Sequence, residues 1–341
     1  MSNQVNVCYY PTTAVFLDDH RTFLNSLPLV IGEDIAMVPF IKPEHAIDYI
    51  NEKIGSNPIC RQDCVTSDME CNDGNDADFI LKLNVTGIPK KVTDKNRFME
   101  PSVLVVDYDM PGQNGLEVCR AIKNPYVKKI LLTGVANESI GLEALNDNTI
   151  DYYIKKNTPN VFSKINDLIR KYQLQYFHEL SSVVRGTLKT ACHFMDDEKF
   201  KVYFLNLIQD NKIVEYYFNK GSDVDPCSFT LATGAGRTYR LRIHSDELFE
   251  EHIEIASDAD APDELVSMLH QRTHFLDISS FDFYYNDTVK NWQKYLCEVM
   301  KIEGQENYYC ALDSKPSIFN EENSLEQKIF SYREYLLKHN A

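Results

Sequence analysis

The chain lacks any run of roughly 18 apolar residues, so no segment reads as a membrane-spanning helix. The stretch from Met1 to Pro11 has neither a basic leader nor an apolar core, and it gives no sign of a secretory signal. A disulfide framework is also missing: the nine cysteines are odd in number and scattered, so a reducing cytoplasm is the expected setting. Positive charge is scarce too. At a net charge of −16 the chain has no global attraction for phosphate backbones, and any nucleic-acid contact would need a local basic face. What is present is enough apolar material, 43% of 341 residues, for two globular cores.

The most informative stretch runs from Ser102 to Gly115, where strand-forming residues deliver one carboxylate, Asp107, to a strand end followed by a turn. Open α/β sheets place their chemistry at such ends. A second apolar run, Thr13 to Leu17, ends in Asp18 and Asp19. Two carboxylates about 4 Å apart repel by roughly 4 kcal/mol at an effective dielectric near 20, and three repel more. Convergence of these acids therefore implies a divalent cation, and Mg²⁺ is the one expected, with oxygen ligands and positions open to a phosphoryl oxygen. Asp107 could then act as a nucleophile toward phosphorus.

Two further strands complete the pattern. Lys129 to Gly134 brings the hydroxyl of Thr133 to a strand end, and Ile150 to Lys155 brings an ammonium, both suited to phosphoryl oxygens that bare carboxylates would repel. Taken singly, the turn after Asp107 is ordinary and an Asp pair after apolar residues is often a helix cap. The ordered set Asp18-Asp19, Asp107, Thr133, Lys155 on successive strands is far more specific.

With these residues in this order, the chain resembles the receiver domain of two-component response regulators. The resemblance implies a flavodoxin-like (βα)5 fold with a parallel five-stranded sheet. It makes Asp107 the phosphoacceptor, Asp19 a direct Mg²⁺ ligand, Asp18 a ligand through water, and Asp109 the donor of a backbone carbonyl. Thr133 would be the switch hydroxyl, Lys155 the phosphate-sensing lysine and Tyr152 the switch aromatic. The run from Asp18 to Phe23 also looks like the family, whereas Lys156 stands where the family usually has a proline. A sensor histidine kinase or phosphotransfer protein is the implied partner, and the only catalysis implied is the receiver's own phosphoryl transfer and hydrolysis. Receivers of this family commonly dimerise through a face that would here be drawn from Glu138 to Asn146, Tyr152 to Lys155 and Val161 to Arg170; the same fold also serves as an unphosphorylated docking domain.

The spacing predicts a strand over Ile35 to Phe40 and a helix over Pro43 to Ile50, leaving an insertion over about 52–100 that ordinary receivers do not have. Its Cys60, Cys64 and Cys71 lack a zinc-type spacing and read as free thiols. The receiver is expected over 1–172. A mixed α/β output domain over 173–341 would be joined by a long helix whose apolar stripe continues from Val161 through Leu188. The overall layout is loosely similar to that of quorum-sensing response regulators.

Within the second half, helices are expected over Asp196 to Ile208, Glu247 to Ile255, Pro262 to His274 and Thr288 to Lys301, and a last one from a capping box at Ser324. Ser228 to Thr233 and Arg237 to His244 read as a hairpin, with a further strand over Asn307 to Leu312. Period-two alternation puts Arg240, Arg242 and His244 on one face, with Arg237 near the turn. That face could bind the phosphate of a nucleotide or nucleic acid, or simply pair with nearby acids. His270 and His274 would lie one helical turn apart, a spacing that can ligate zinc but lacks a third ligand here. No helix-turn-helix, cyclic-dinucleotide or phosphate-loop signature is present, so the output reads as a protein-interaction module, a nucleic-acid-binding regulator or an unrecognised enzyme.

Overall fold

The computed structural model describes residues 5–53, 65–71, 77–83, 85–134, 138–188, 192–221, 223–278, 280–313 and 329–339. Two compact units emerge, one of Tyr9–Asn84, Lys91–Val184 and Phe330–Ala341, the other of Met1–Cys8, Val85–Lys90 and Arg185–Ile329.

The first unit is built on five parallel strands: β1 (Thr13–Leu17), β2 (Ala36–Phe40), β3 (Pro101–Asp107), β4 (Lys128–Thr133) and β5 (Tyr152–Lys155), in the order β2-β1-β3-β4-β5. A parallel sheet is covered on both faces, which is why β1 and β3 are mostly apolar and buried at every position. Helices α1 (Arg21–Val30), α2 (Pro43–Glu52), α3 (Gly115–Ala121), α4 (Glu138–Asn146) and α5 (Val161–Leu188) complete the unit. One core packs Phe16, Val105 and Leu132 with Ile165 and Ile169 of α5; the other packs Val15, Val106 and Leu131 with Ile50, Leu116 and Ala144.

Local chemistry sets the helix starts. Pro43 opens α2 at a position where its missing N–H costs nothing. Asn114 caps α3, its side chain accepting from the Leu116 and Glu117 N–H groups while Glu117 accepts from the Asn114 N–H. Gly115 is required there: a Cβ would sit 2.3 Å from the Asp107 carbonyl oxygen. The strand order reverses between β1 and β3, so their carboxyl ends border the crevice where ligands bind in such sheets.

Between α2 and β3 lies an antiparallel hairpin, Val65–Cys71 with Ala77–Leu83, in the region read from sequence as an insertion. Cys60, Cys64, the Asn72 to Asn75 turn and the Ser324 capping box lie outside the described residues.

The expected boundary between residues 172 and 173 is corrected at both ends of the chain. Helix α5 is continuous, and its stripe stays with the receiver unit to Val184 because Phe177 packs against both Tyr10 and Tyr176. The helix Tyr332–His339 also returns to this unit. Tyr332 Oη donates to the Asp34 carbonyl and accepts from the Ala36 N–H, Arg97 donates to the Phe330 carbonyl at 2.7 Å, and the Tyr335 ring lies against buried Phe98. These pairings join residues far apart in sequence, so no local pattern could announce them.

The second unit holds a six-stranded sheet in the order Cys8–Tyr9, Ile213–Lys220, Cys227–Thr233, Thr238–Ser245, Asn307–Asp313, Met300–Glu303. The hairpin expected around Gly234 to Gly236 is there, with Gly236 at a positive φ of 83°. Helices occupy Glu198–Asp210, Asp246–Asp258 and Asp263–Gln271. A helix over Thr288 to Lys301 does not form. That segment is a 3-10 helix, Asp287–Tyr295, followed by strands Leu296–Glu298 and Met300–Glu303, because Leu296 and Cys297 pair with Leu276 and Phe275 across a short ladder. The strand Ile213–Lys220 was not anticipated, although its branched and aromatic run carries the signal.

At the start of β3, the buried Glu100 carboxylate accepts a hydrogen bond of 2.5 Å from each of Tyr10 Oη and Tyr176 Oη, with Lys91 Nζ 3.8 Å away. This ties α5 to the strand that carries Asp107. Hydrogen bonds to a charged group contribute about 1.5–3 kcal/mol, so Tyr176→Phe is expected to lower stability by about 2 kcal/mol in a urea unfolding titration, without changing the far-UV circular dichroism of the folded state.

Candidate functional site: an acidic centre at the sheet's switch point

Asp107 ends β3, and Asp18 and Asp19 directly follow β1, where the Asp18 N–H still donates to the Phe40 carbonyl of the adjoining strand. Asp18 is fully buried and Asp107 nearly so. The carboxylates of Asp18, Asp19 and Asp107 and a ring nitrogen of His20 all lie within 4.8 Å of one another. The three acids predicted from sequence are therefore brought together, joined by a histidine that sequence reasoning did not assign to the centre. His20 directly follows the two acids, so adjacency was the signal available.

The predicted cation is corrected by one residue. Lys156, not Lys155, reaches the acids: its Nζ lies 2.8 Å from Asp18 Oδ2 and 2.9 Å from Asp107 Oδ1. Lys155 closes β5 opposite Thr133, and the chain turns immediately after it, with the Lys156 N–H donating to the Thr133 carbonyl. Lys155 instead lines a cleft with Leu145, Tyr153 and Lys164. In a strand, a slip of one residue exchanges the two faces of the sheet. The same slip separates the tyrosines. Tyr152 packs on the α5 side under Lys164 Nζ, while Tyr153 packs on the α4 side, where its ring leaves no room for a Cβ on Gly141. The residue after the site lysine is then Asn157, so the departure from the family's proline moves from Lys156 to Asn157.

Burial is the main influence raising the Asp107 pKa above the usual carboxylate range; Asp18 adds to it, and Lys156 offsets only part. Burial alone would lower Lys156, but its hydrogen bonds and charge contacts with Asp18 and Asp107 outweigh that and hold it above its ordinary value. The centre is thus short of positive charge.

Two oxygens there point to a missing partner. Asp19 Oδ1 is buried without a hydrogen-bond partner among the described residues, and so is the hydroxyl of Thr133, one residue beyond Leu132, which stands opposite Asp107 in the ladder. Buried polar atoms are almost always satisfied, so these are places for a ligand atom. The all-oxygen carboxylate set and the charge deficit fit a hard divalent cation. Asp109 lies two residues beyond Asp107 on the exposed turn, and a Cβ built on Gly134 would come within 3.7 Å of its Oδ2.

The other candidates fare differently. Arg242 is buried, with its guanidinium engaged by Asp225 and Asp277, and Arg240 also pairs with Asp225. His244 is buried against the Phe275 ring, and Arg237 stacks on Tyr239. The basic face expected to meet phosphate is therefore an internal charge network, because Asp225 and Asp277 sit beside it. His270 and His274 do not share a helical face: the helix stops at Gln271, Arg272 is left-handed, and His274 opens a strand.

With Lys156 removed, two buried carboxylates would face each other uncompensated. Lys156→Ala is expected to lower stability by about 2 kcal/mol at pH 7, discounted from the cost of breaking a buried pair because the lysine is partly exposed. Since the Asp107 pKa is raised, the penalty belongs to its charged form and shrinks as that carboxyl protonates toward about pH 3. Urea titrations of the variant at the two pH values check this.

No family model matches the chain. It is 28% identical over 152 residues to the sensory transduction protein LytT of Oceanobacillus iheyensis, a match covering 44% of this chain and 51% of LytT, so the chain spans about half the length of this curated relative. Superposition on the structure of the Legionella pneumophila response regulator LqsR gives a TM-score of 0.74 at 30% identity, covering 98% of this chain and 96% of that one. With both chains aligned over nearly their full lengths and the acidic centre in its place on the sheet, this chain belongs to the response regulators.

Proposed function

We propose that Asp107 accepts a phosphoryl group from a partner histidine kinase or phosphotransfer protein, and that the modified receiver changes self-association and output. The observation that carries this reading is the buried Thr133 hydroxyl without a partner among the described residues, next to a carboxylate already engaged by Lys156. A carboxylate oxygen of Asp107 forms a bond to phosphorus as the bond from phosphorus to the donor imidazole nitrogen breaks, and the imidazole leaves. Thr133 then donates a hydrogen bond to one phosphoryl oxygen, and Lys156 moves from the Asp107 carboxylate to another. Asp18, Asp19 and Asp107 would hold Mg²⁺, with the Asp109 carbonyl as a further ligand, and the ion would supply charge neutralisation for the incoming phosphoryl oxygens.

The bonds from Thr133 and Lys156 to the phosphoryl group exist only after transfer, so their free energy biases the protein between two arrangements. Moving a 1:99 population to 99:1 requires about 5.5 kcal/mol. By its spacing from Lys156, Tyr153 takes the part of the switch aromatic first assigned to Tyr152. The face of α4, β5 and the first half of α5 would carry phosphorylation-dependent dimerisation. For the second unit, the engaged state of Arg240 and Arg242 favours a protein-interaction role over nucleic-acid binding. The absence of a long apolar helix among the described residues is compatible with action in the cytoplasm.

Incubation with Mg²⁺ and a small acyl-phosphate donor should add one phosphoryl group by intact mass. Asp107→Asn should add none, and Lys156→Ala should react at least about tenfold more slowly, a loss of roughly 1.4 kcal/mol of barrier stabilisation. Modification that persists in Asp107→Asn would remove the reading. Separately, Mg²⁺ at about 100 times its dissociation constant should stabilise the receiver by about 2.7 kcal/mol, a rise in melting temperature of about 6 °C that Asp19→Asn abolishes. Differential scanning calorimetry with and without the ion measures it.

A further inference from the structure

Helix α1 starts with a side chain that the helix does not use. His20 is its N-cap residue, with extended backbone, and its ring makes no capping bond. The ring is turned toward the acids instead. The His20 N–H donates to Asp18 Oδ1 at 2.8 Å, fixing the backbone over the centre, and Nδ1 stands 3.2 Å from Asp18 Oδ1 and 2.9 Å from Asp19 Oδ1. The contact with Asp19 is close but lacks hydrogen-bond alignment, since Asp19 Oδ1 counts no partner. The nitrogen and the oxygen are side by side rather than aimed at each other.

That is the spacing of neighbouring ligands. With metal–ligand distances of about 2.1 Å, adjacent octahedral ligands lie about 3.0 Å apart and opposite ones about 4.2 Å. The separation of 2.9 Å matches the adjacent value, and the four donor atoms lie within 4.8 Å of one another. Lys156 does not stand in the way, because it occupies Asp18 Oδ2 and Asp107 Oδ1 and leaves Asp18 Oδ1 and Asp19 Oδ1 facing the imidazole. The donor set therefore contains one nitrogen among oxygens.

We infer that His20 is a direct ligand of the cation held by Asp18, Asp19 and Asp107, and that it tilts the centre from Mg²⁺ toward first-row transition-metal dications. Imidazole suits those ions, whereas Mg²⁺ favours oxygen and gives up its waters reluctantly. The inference rests on the metal-dependent receiver reading above and adds a ligand and a selectivity to it.

The test uses the full chain and Mn²⁺ as the probe. Pulsed electron paramagnetic resonance of the Mn²⁺-loaded protein should show ¹⁴N coupling from a directly bound imidazole, and His20→Ala should abolish it. By titration calorimetry, His20→Ala should weaken Mn²⁺ binding about tenfold while changing Mg²⁺ binding less than about twofold; the side chain is 68% exposed, so the substitution leaves the core intact. Mn²⁺ binding that depends on Asp19 but shows no ¹⁴N coupling, or an unchanged Mn²⁺ to Mg²⁺ ratio in His20→Ala, overturns the inference and leaves the receiver reading standing. Wild-type protein that binds no Mn²⁺, or binding indifferent to Asp19→Asn, overturns both.

Discussion

Mutual repulsion of buried carboxylates is the constraint around which the receiver unit is organised. Asp18 and Asp107 are held out of water on adjacent strand ends, and the sheet, not the acids, keeps them there. Two apolar cores clamp β1 and β3 from opposite faces, so the strands cannot part to relieve the charge. The cost is offset by what approaches from outside the sheet, the ammonium of the residue after β5. Burial leaves this compensation incomplete, as the raised Asp107 pKa indicates.

The same tension makes the centre useful. A carboxylate whose charge is poorly solvated gains when a cation supplies new partners, and the Thr133 hydroxyl, without a partner among the described residues, stands on the neighbouring strand. Packing that is rigid on both faces turns such a local gain into a choice between discrete arrangements rather than a gradual relaxation. Outside the centre, the buried Glu100 with its two tyrosine donors anchors α5 at the opposite end of the Asp107 strand. The strand that bears Asp107 is thus fixed at both ends, by charge at one and by a charged hydrogen-bond cluster at the other.

In the second unit charge plays the reverse role. Arg240 and Arg242 look like a surface reader when only alternation is considered, yet Asp225 and Asp277 absorb them into the fold. Asp225 is itself pushed above the usual carboxylate range by burial, despite both guanidinium groups. Such a network specifies how strands and loops meet, and it leaves little charge to offer a nucleic acid.

Residue order alone determined the parallel sheet, the three acids and the Thr133 hydroxyl, because each is announced by a local event: an apolar run that ends in a polar residue. Composition and spacing likewise gave the hairpin around Gly236 and the continuity of α5, whose periodicity is unbroken over many turns. Which lysine enters the centre was decided by tertiary structure, since Lys155 and Lys156 differ only in the point at which β5 stops and its chain turns across the strand ends. The fate of the arginine face, the strands at Leu296–Glu298 and Met300–Glu303, and the return of Tyr332–His339 to the receiver were decided the same way. Each depends on a partner tens to hundreds of residues away, and a one-dimensional pattern carries no record of which distant group will fill the other side of a contact.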